Sequence, residues 1–289
     1  MADFRNIPKG TEPDWYWHIG GIGELIKNKP DEIFIAPFRL APHVWMVSGN
    51  PDSGSYLIDT GSGGLILVDA PYHCGLELQK KAIAMAGFKV EDIRNIFVSH
   101  PHFDHYGAVK EFKELTGADI WMTRKGLDWW NRRREEGLLR PSDGGFEYDD
   151  FKIDRIYDDN DPITIGDLTF RFESHDGHCP GAVVMFFEDT DPETGKTYTV
   201  GMHGGIGTCN SKWVEKEGAE PYHYYRFIAD CLEMADKYTV DITLPNHENQ
   251  TNMHSGINEA DRRDYSAFVN RDVWINLMKQ KAEISIKEG

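Results

Sequence analysis

Positive charge is in short supply in this chain. Its 289 residues carry 31 Lys and Arg against 48 Asp and Glu, a formal net charge of −17. Such a surface repels a polyanion, so nucleic acid is not an expected partner. The one strongly basic stretch, Arg132-Arg133-Arg134, runs straight into Glu135-Glu136 and reads as a solvated helix face. Cysteine is sparse as well: four residues at irregular spacings set up no disulfide framework. No apolar run reaches the length of a membrane span, and no low-complexity tract interrupts the chain. The stretch from Met1 to Gly10 lacks the apolar core of a secretory signal. The expectation is a cytoplasmic protein with a small-molecule partner and no membrane partner.

What is present is ordinary globular material. At 40% hydrophobic and 27% charged, the chain can bury the core of one large α/β domain without needing a second. Strands are expected at Asn95-Ile96-Phe97-Val98, from Leu168 to Phe172, from Lys196 to Val200 and from Val240 to Leu244, where β-branched and aromatic residues concentrate. Apolar positions recur at helical spacing from Leu76 to Ala86, from Tyr224 to Met234, and from Gly107 to Leu115, where Gly117 is the stop.

Three imidazoles and a carboxylate fall within six residues, His100-Pro101-His102-Phe103-Asp104-His105, directly after one of those strands. Alternate residues of an extended chain point the same way, so His100 and His102 can grip one metal ion while Asp104 and His105 turn toward a second. Two ions need further ligands from distant loops. His178 follows the strand ending at Phe172, in the tight turn Gly177-His178-Cys179-Pro180-Gly181, and His247 follows Pro245-Asn246 after the strand ending at Leu244. Sulfur is a further option, because Cys179 adjoins His178 and Cys74 adjoins His73. The ordinary reading of both thiols is a small buried filler.

Aromatic residues gather in two places. Trp15 and Trp17 stand near the start of the chain, and Trp121 with Trp129-Trp130 flanks a stretch containing Gly137, Pro141, Gly144 and Gly145, a composition suited to a loop or lid. Trp129 and its neighbours either line a substrate cleft or pack this stretch onto the body.

The His-x-His-x-Asp-His loop, the Gly-His-Cys-Pro-Gly turn and the late strand leading to His247 together resemble the metallo-β-lactamase superfamily. The resemblance runs from about Phe38 to the C-terminus. It implies a four-layer αββα sandwich of the α/β class spanning 38–289, with 1–37 as an N-terminal extension packing on the fold and an insertion at about 124–160 near the active site. Tyr56 to Gly61 and Gly64 to Ala70 resemble the family's opening hairpin, which makes Asp69 the carboxylate beneath the metals that orients a ligand histidine. The closest likeness is to the third β-lactamase subclass. Carried over residue by residue, His100, His102 and His178 hold one zinc, and Asp104, His105 and His247 the other, giving two Zn²⁺ per chain.

The chemistry implied is hydrolysis. Two zincs about 3.5 to 4 Å apart lower the pKa of a shared water toward about 7, and the resulting hydroxide attacks a carbonyl carbon with Asp104 as ligand and hydrogen-bond partner. Many lactonases, glyoxalase II-like thioesterases and phosphodiesterases of the superfamily add a bridging aspartate after a strand, where this chain has Gly201-Met202-His203-Gly204-Gly205. That absence favours a β-lactam or other cyclic amide as substrate over the lactonase, esterase or thioesterase alternative. Met202 and His203 would then contact substrate, with His203 acting there or behind the ligands rather than on a metal. A member of another class, a catalytically silent metal-binding or sensor protein, is the remaining alternative.

Overall fold

A computed structural model of the protein describes residues 22–135, 151–157, 161–207, 222–247, 250–251 and 253–288. The segment holding Trp15 and Trp17, and Gly137, Pro141, Gly144 and Gly145 of the expected insertion, lie outside the described residues. Seven strands form the first sheet in chain order: β1 (Phe38–Ala41), β2 (Val44–Met46), β3 (Tyr56–Asp59), β4 (Leu65–Val68), β5 (Ile93–Phe97), β6 (Asp119–Thr123) and β7 (Arg155–Tyr157). The second sheet is ordered β12-β11-β10-β9-β8, from β8 (Ile163–Ile165), β9 (Leu168–Ser174), β10 (Val183–Thr190), β11 (Thr197–His203) and β12 (Ile242–Leu244). The described helices are α1 (Ile22–Asn28), α2 (Pro30–Ile33), α3 (Leu76–Met85), α4 (Phe103–Tyr106), α5 (Val109–Thr116), α6 (Arg124–Glu135), α7 (Tyr222–Lys237) and α8 (Arg271–Glu288). None of them is long and apolar enough to cross a membrane.

Side-chain alternation along the strands builds the layers. In β4, Ile66 and Val68 face inward and meet Phe170, Phe172, Met185 and Phe187 of the second sheet, while Leu65 and Leu67 face outward against Ala82 and Ile83 of α3 and Phe112 of α5. In β10, Val183, Met185 and Phe187 join the inner core, and Val184 and Phe186 turn out to meet Phe227 and Met234 of α7 and Trp274 of α8. Helices therefore cover both outer faces of two packed sheets, which is the αββα architecture expected. Ile26 of α1 and Ile33 of α2 pack on Tyr72 and Leu78.

Phe97, the last residue of β5, anchors the middle of the sandwich. Its ring meets Trp121, Tyr157, Phe170 and Phe172 at centroid distances of 5.6 to 5.9 Å, mostly edge to face. Burying such a ring stabilises by about 2–3 kcal/mol. It also fixes where β5 ends, and hence where the histidine loop begins. Carboxyl ends of β4, β5, β9 and β12 all open on this end of the sandwich, and the chain before β3 reaches it through a bridge between Ser53 and His247.

Strand β11 continues three residues beyond Val200, to His203, pairing Met202 with Met185 and, in parallel, with Leu244. Alternation then places Met202 beside Val200 and Tyr198 in the inner core, 1% exposed. A substrate contact for Met202 is corrected on that ground.

Candidate metal centre

Beyond β5 the backbone stays extended through Val98, and the loop then closes on itself: the His102 N–H donates to the His100 carbonyl at 3.0 Å. The His102 carbonyl accepts from His105 N–H at 2.9 Å, so α4 begins immediately after it and carries Asp104 and His105 on one short turn. Three separate stretches of chain bring the side chains together: the loop from His100 to His105, the turn at His178 and the junction at His247. Ring centroids lie 4.1 Å apart for His100 and His105, 4.8 Å for His100 and His102, 4.8 Å for His102 and His178, and 5.1 Å for His105 and His247. The six residues assigned as ligands from the sequence are thus neighbours in space.

Asp104, His105 and His247 form a compact donor triangle. His105 Nε2 is 3.4 Å from His247 Nε2, and Asp104 Oδ2 is 3.5 Å from each. Three ligands on one face of a tetrahedron, with bonds of about 2.0–2.1 Å, stand about 3.3–3.4 Å apart. The residues present therefore fit a zinc-sized ion. Burial alone would raise the Asp104 pKa, but the imidazoles of His105, His247 and His102 outweigh it and hold the carboxyl ionised well below the usual range. Burial likewise works to lower the His105 pKa, yet Asp104 and Asp69 prevail and raise it to about 10. Buried negative charge is calling for a cation here.

The second group of donors lacks a carboxylate. His178 Nε2 lies 3.1 Å from His102 Nδ1, and His100 turns its Nδ1 to Ser99 Oγ at 3.1 Å, leaving Nε2 for the cluster. Burial first, then the neighbouring imidazoles, push the His100 pKa well below its ordinary value, so the ring is neutral and its lone pair available. Cys179 reaches this group: its sulfur and one nitrogen each of His100 and His102 lie within 4.8 Å of one another.

Behind the donors stands a supporting layer. Fully buried Asp69 accepts from Ser99 N–H at 2.8 Å and Ser99 Oγ at 2.7 Å, and its Oδ2 lies 2.8 Å from His105 Nδ1. It thereby orients the ring so that His105 Nε2 faces Asp104 and His247. Asp69 does so from a left-handed backbone at φ 60°. Sequence reasoning missed this role of Ser99 and two further partners. Asp52 faces His247 Nδ1 at 3.4 Å and accepts from the Tyr72 hydroxyl, and Ser53 Oγ donates to Asp104 Oδ2 at 3.3 Å. Nothing local marks Asp52 or Ser53, because they meet the site only through the bridge to His247.

The loop carrying His178 is clamped to α6. Asp176 accepts from Lys125 Nζ at 2.7 Å and from Gly181 N–H at 3.1 Å, and Thr123 Oγ1 donates to the Gly181 carbonyl at 2.9 Å. Gly181 has φ +85°, and a Cβ there would stand 2.1 Å from the Gly126 nitrogen, so only glycine permits this approach. The same helix sets Trp129 with its ring 5.8 Å from that of His102, packed among the outer-face residues of the first sheet. Trp129 is both cluster neighbour and core residue. His203 is 2% exposed, with its ring 5.4 Å from that of His175; burial first, then His175 and His178, keep it neutral.

The family model described as the metallo-beta-lactamase superfamily matches residues 50–191. A probable metallo-hydrolase, YqgX of Bacillus subtilis, is 27% identical over 114 residues, 39% of this chain and 51% of that protein, so the chain spans about half the length of the curated relative it matches. Among solved structures, a β-lactamase from Chitinophaga pinensis superposes with a TM-score of 0.75 at 25% identity, covering 90% of this chain and 96% of that one. The class B3 di-zinc metallo-β-lactamase LRA-12 from an Alaskan soil metagenome shares the fold at a TM-score of 0.75 and 24% identity, covering 90% and 97%.

Proposed function

We propose that this chain, which matches the metallo-β-lactamase superfamily model over residues 50–191 and shares the fold of β-lactamases, is a two-zinc metallo-hydrolase opening a cyclic amide, with β-lactams as the leading substrates. One observation carries the reading: an Asp-His-His donor triangle with edges of 3.4 to 3.5 Å abuts a second cluster of imidazoles, His100, His102 and His178. His100, His102 and His178 would hold one ion and Asp104, His105 and His247 the other. When bound, zinc supplies Lewis acidity and lowers the pKa of water.

The protein's own groups do the rest. Asp69, Ser99 and Asp52 each meet the Nδ1 of one imidazole, of His105, His100 and His247 respectively, so that each ring is oriented with its Nε2 toward the cluster. Asp104, kept ionised, can accept a hydrogen bond from the attacking water and take up its proton. Ser53 steadies that carboxylate. Trp129 closes one side beside His102 and offers an apolar wall to the substrate. The likeness in fold to a di-zinc class B3 enzyme, and the chain's Gly201-Met202-His203 where lactonases and thioesterases carry a bridging aspartate, support a cyclic amide over an ester.

A second reading, a metal-binding protein without turnover, is favoured by the end of β11. Its Met202 is in the core and its His203 is buried, so neither presents an exposed polar group there. Zinc-loaded protein assayed against nitrocefin, a homoserine lactone and a thioester separates the readings. Cleavage of nitrocefin, abolished by His102→Ala, is the expected result. Silence on all three substrates with two zincs bound would establish the second reading.

A further inference from the structure

We propose that Cys179 supplies a thiolate to the metal position of His100 and His102, making it a mixed nitrogen-and-sulfur site for thiophilic ions beside a nitrogen-and-oxygen site. The inference rests on the two-metal reading above and deepens it.

Three observations converge. The Cys179 sulfur and one ring nitrogen each of His100 and His102 all lie within 4.8 Å of one another. Ligands sharing one ion at bonds of about 2.0–2.3 Å stand about 3.3–3.8 Å apart, so the remaining adjustment is on the order of 1 Å and within a side-chain rotation. Cys179 is 1% exposed, and its turn is pinned on both sides: its carbonyl accepts from Ala182 N–H at 3.2 Å, His175 N–H donates to the Ala182 carbonyl at 2.8 Å, and Asp176 holds Gly181. The sulfur therefore stays with the imidazoles and away from solvent.

Charge supplies the third observation. Asp104 serves the Asp-His-His triangle, whereas His100, His102 and His178 bring no carboxylate to their metal position. A dication among neutral imidazoles in a buried place keeps its whole charge, which is unfavourable at low dielectric. A thiol that gives up its proton to bind metal halves that charge. His178 and Cys179 are adjacent on a bend, and His178 Nε2 already touches the His102 nitrogen at 3.1 Å, so sulfur joins the set instead of replacing His178. Zinc accommodates a fifth ligand, so the thiolate does not exclude a reacting water.

Full-length protein loaded with Co²⁺ gives a test that does not depend on turnover. Sulfur-to-cobalt charge transfer should appear in the near ultraviolet, disappear in Cys179→Ser, and persist in Cys74→Ser. Affinity for Cd²⁺ should fall at least about tenfold in Cys179→Ser. The wild-type spectrum needs no variant to fold: two cobalt ions per chain without the band overturn the thiolate, as does a band that survives Cys179→Ser. One cobalt per chain with the band intact keeps the thiolate and removes the two-metal reading. Protein that binds no cobalt overturns both.

Discussion

His100 and His105 lie ring to ring at 4.1 Å, yet they hold protons very differently. His105 stands between two carboxylates that raise its pKa to about 10 against the pull of burial, while burial and a ring of imidazoles drive that of His100 well down. Their partners account for the difference. His105 Nδ1 meets Asp69, and His100 Nδ1 meets the hydroxyl of Ser99, which itself donates to Asp69. A single buried carboxylate thus serves both rings, directly in one case and through a hydroxyl in the other. The triangle of Asp104, His105 and His247 includes a carboxylate, whereas the group of His100, His102 and His178 has none.

The sharpest way to break this comparison is Asp104→Asn, which removes the charge from the triangle and leaves its shape. Hydrolysis should fall by about 100-fold or more, and metal analysis should show the loss of the ion held by His105 and His247. Undiminished turnover would show that the charged half is dispensable. Asp69→Asn comes next. Asparagine accepts the left-handed backbone, but its amide places a donor against Ser99 or His105, so metal affinity should fall by about 10- to 100-fold in chelator competition. The loss should fall mainly on the triangle, because His100 keeps its own hydroxyl partner.

Asp52→Asn should weaken the same ion by about tenfold, since only His247 loses its outer partner. An equal loss at both positions would mean that the two halves are less separate than their charges indicate. Asp241→Asn is the control, because this carboxylate belongs to neither half. Asp241 accepts from Thr199 N–H at 2.9 Å and from Arg271 Nε at 2.7 Å. Burial opposes its ionisation, but these bonds prevail and depress its pKa. A depressed folded-state pKa means that the carboxylate stabilises the fold above about pH 4 and stops doing so as pH falls below that range. The variant should lose about 1 kcal/mol at about pH 7 and nothing near pH 2, measured by urea unfolding, with metal content unchanged. An identical penalty at both pH values would remove ionisation as the source.

Much of the centre was legible in the chain because one short loop concentrates it. His100, His102, Asp104 and His105 share a motif, and His178 and His247 each follow an apolar strand, so strand ends pointed to the site. Asp69 emerged from its place in a hairpin. What escaped was set by contacts that local pattern does not encode. Asp52 reaches His247 across 195 residues through a two-residue bridge, and Ser99 is an unremarkable serine until its hydroxyl is seen between two partners. Cys179 read as filler because a thiol beside a histidine gives no sign of which way it turns. Met202 went astray for a simpler reason: β11 runs past its last β-branched residue, and alternation then fixes the face.

Asp69 also bears on how this sequence can change over time. Its backbone excludes most side chains at a cost of about 1–2 kcal/mol, and glycine, which fits the backbone, brings no acceptor. Three donors converge on its carboxylate, from Ser99 twice and from His105. No single replacement meets both demands. Position 69 is therefore closed to neutral drift, and a lineage can rework the walls around the histidine cluster while this one aspartate stays fixed beneath.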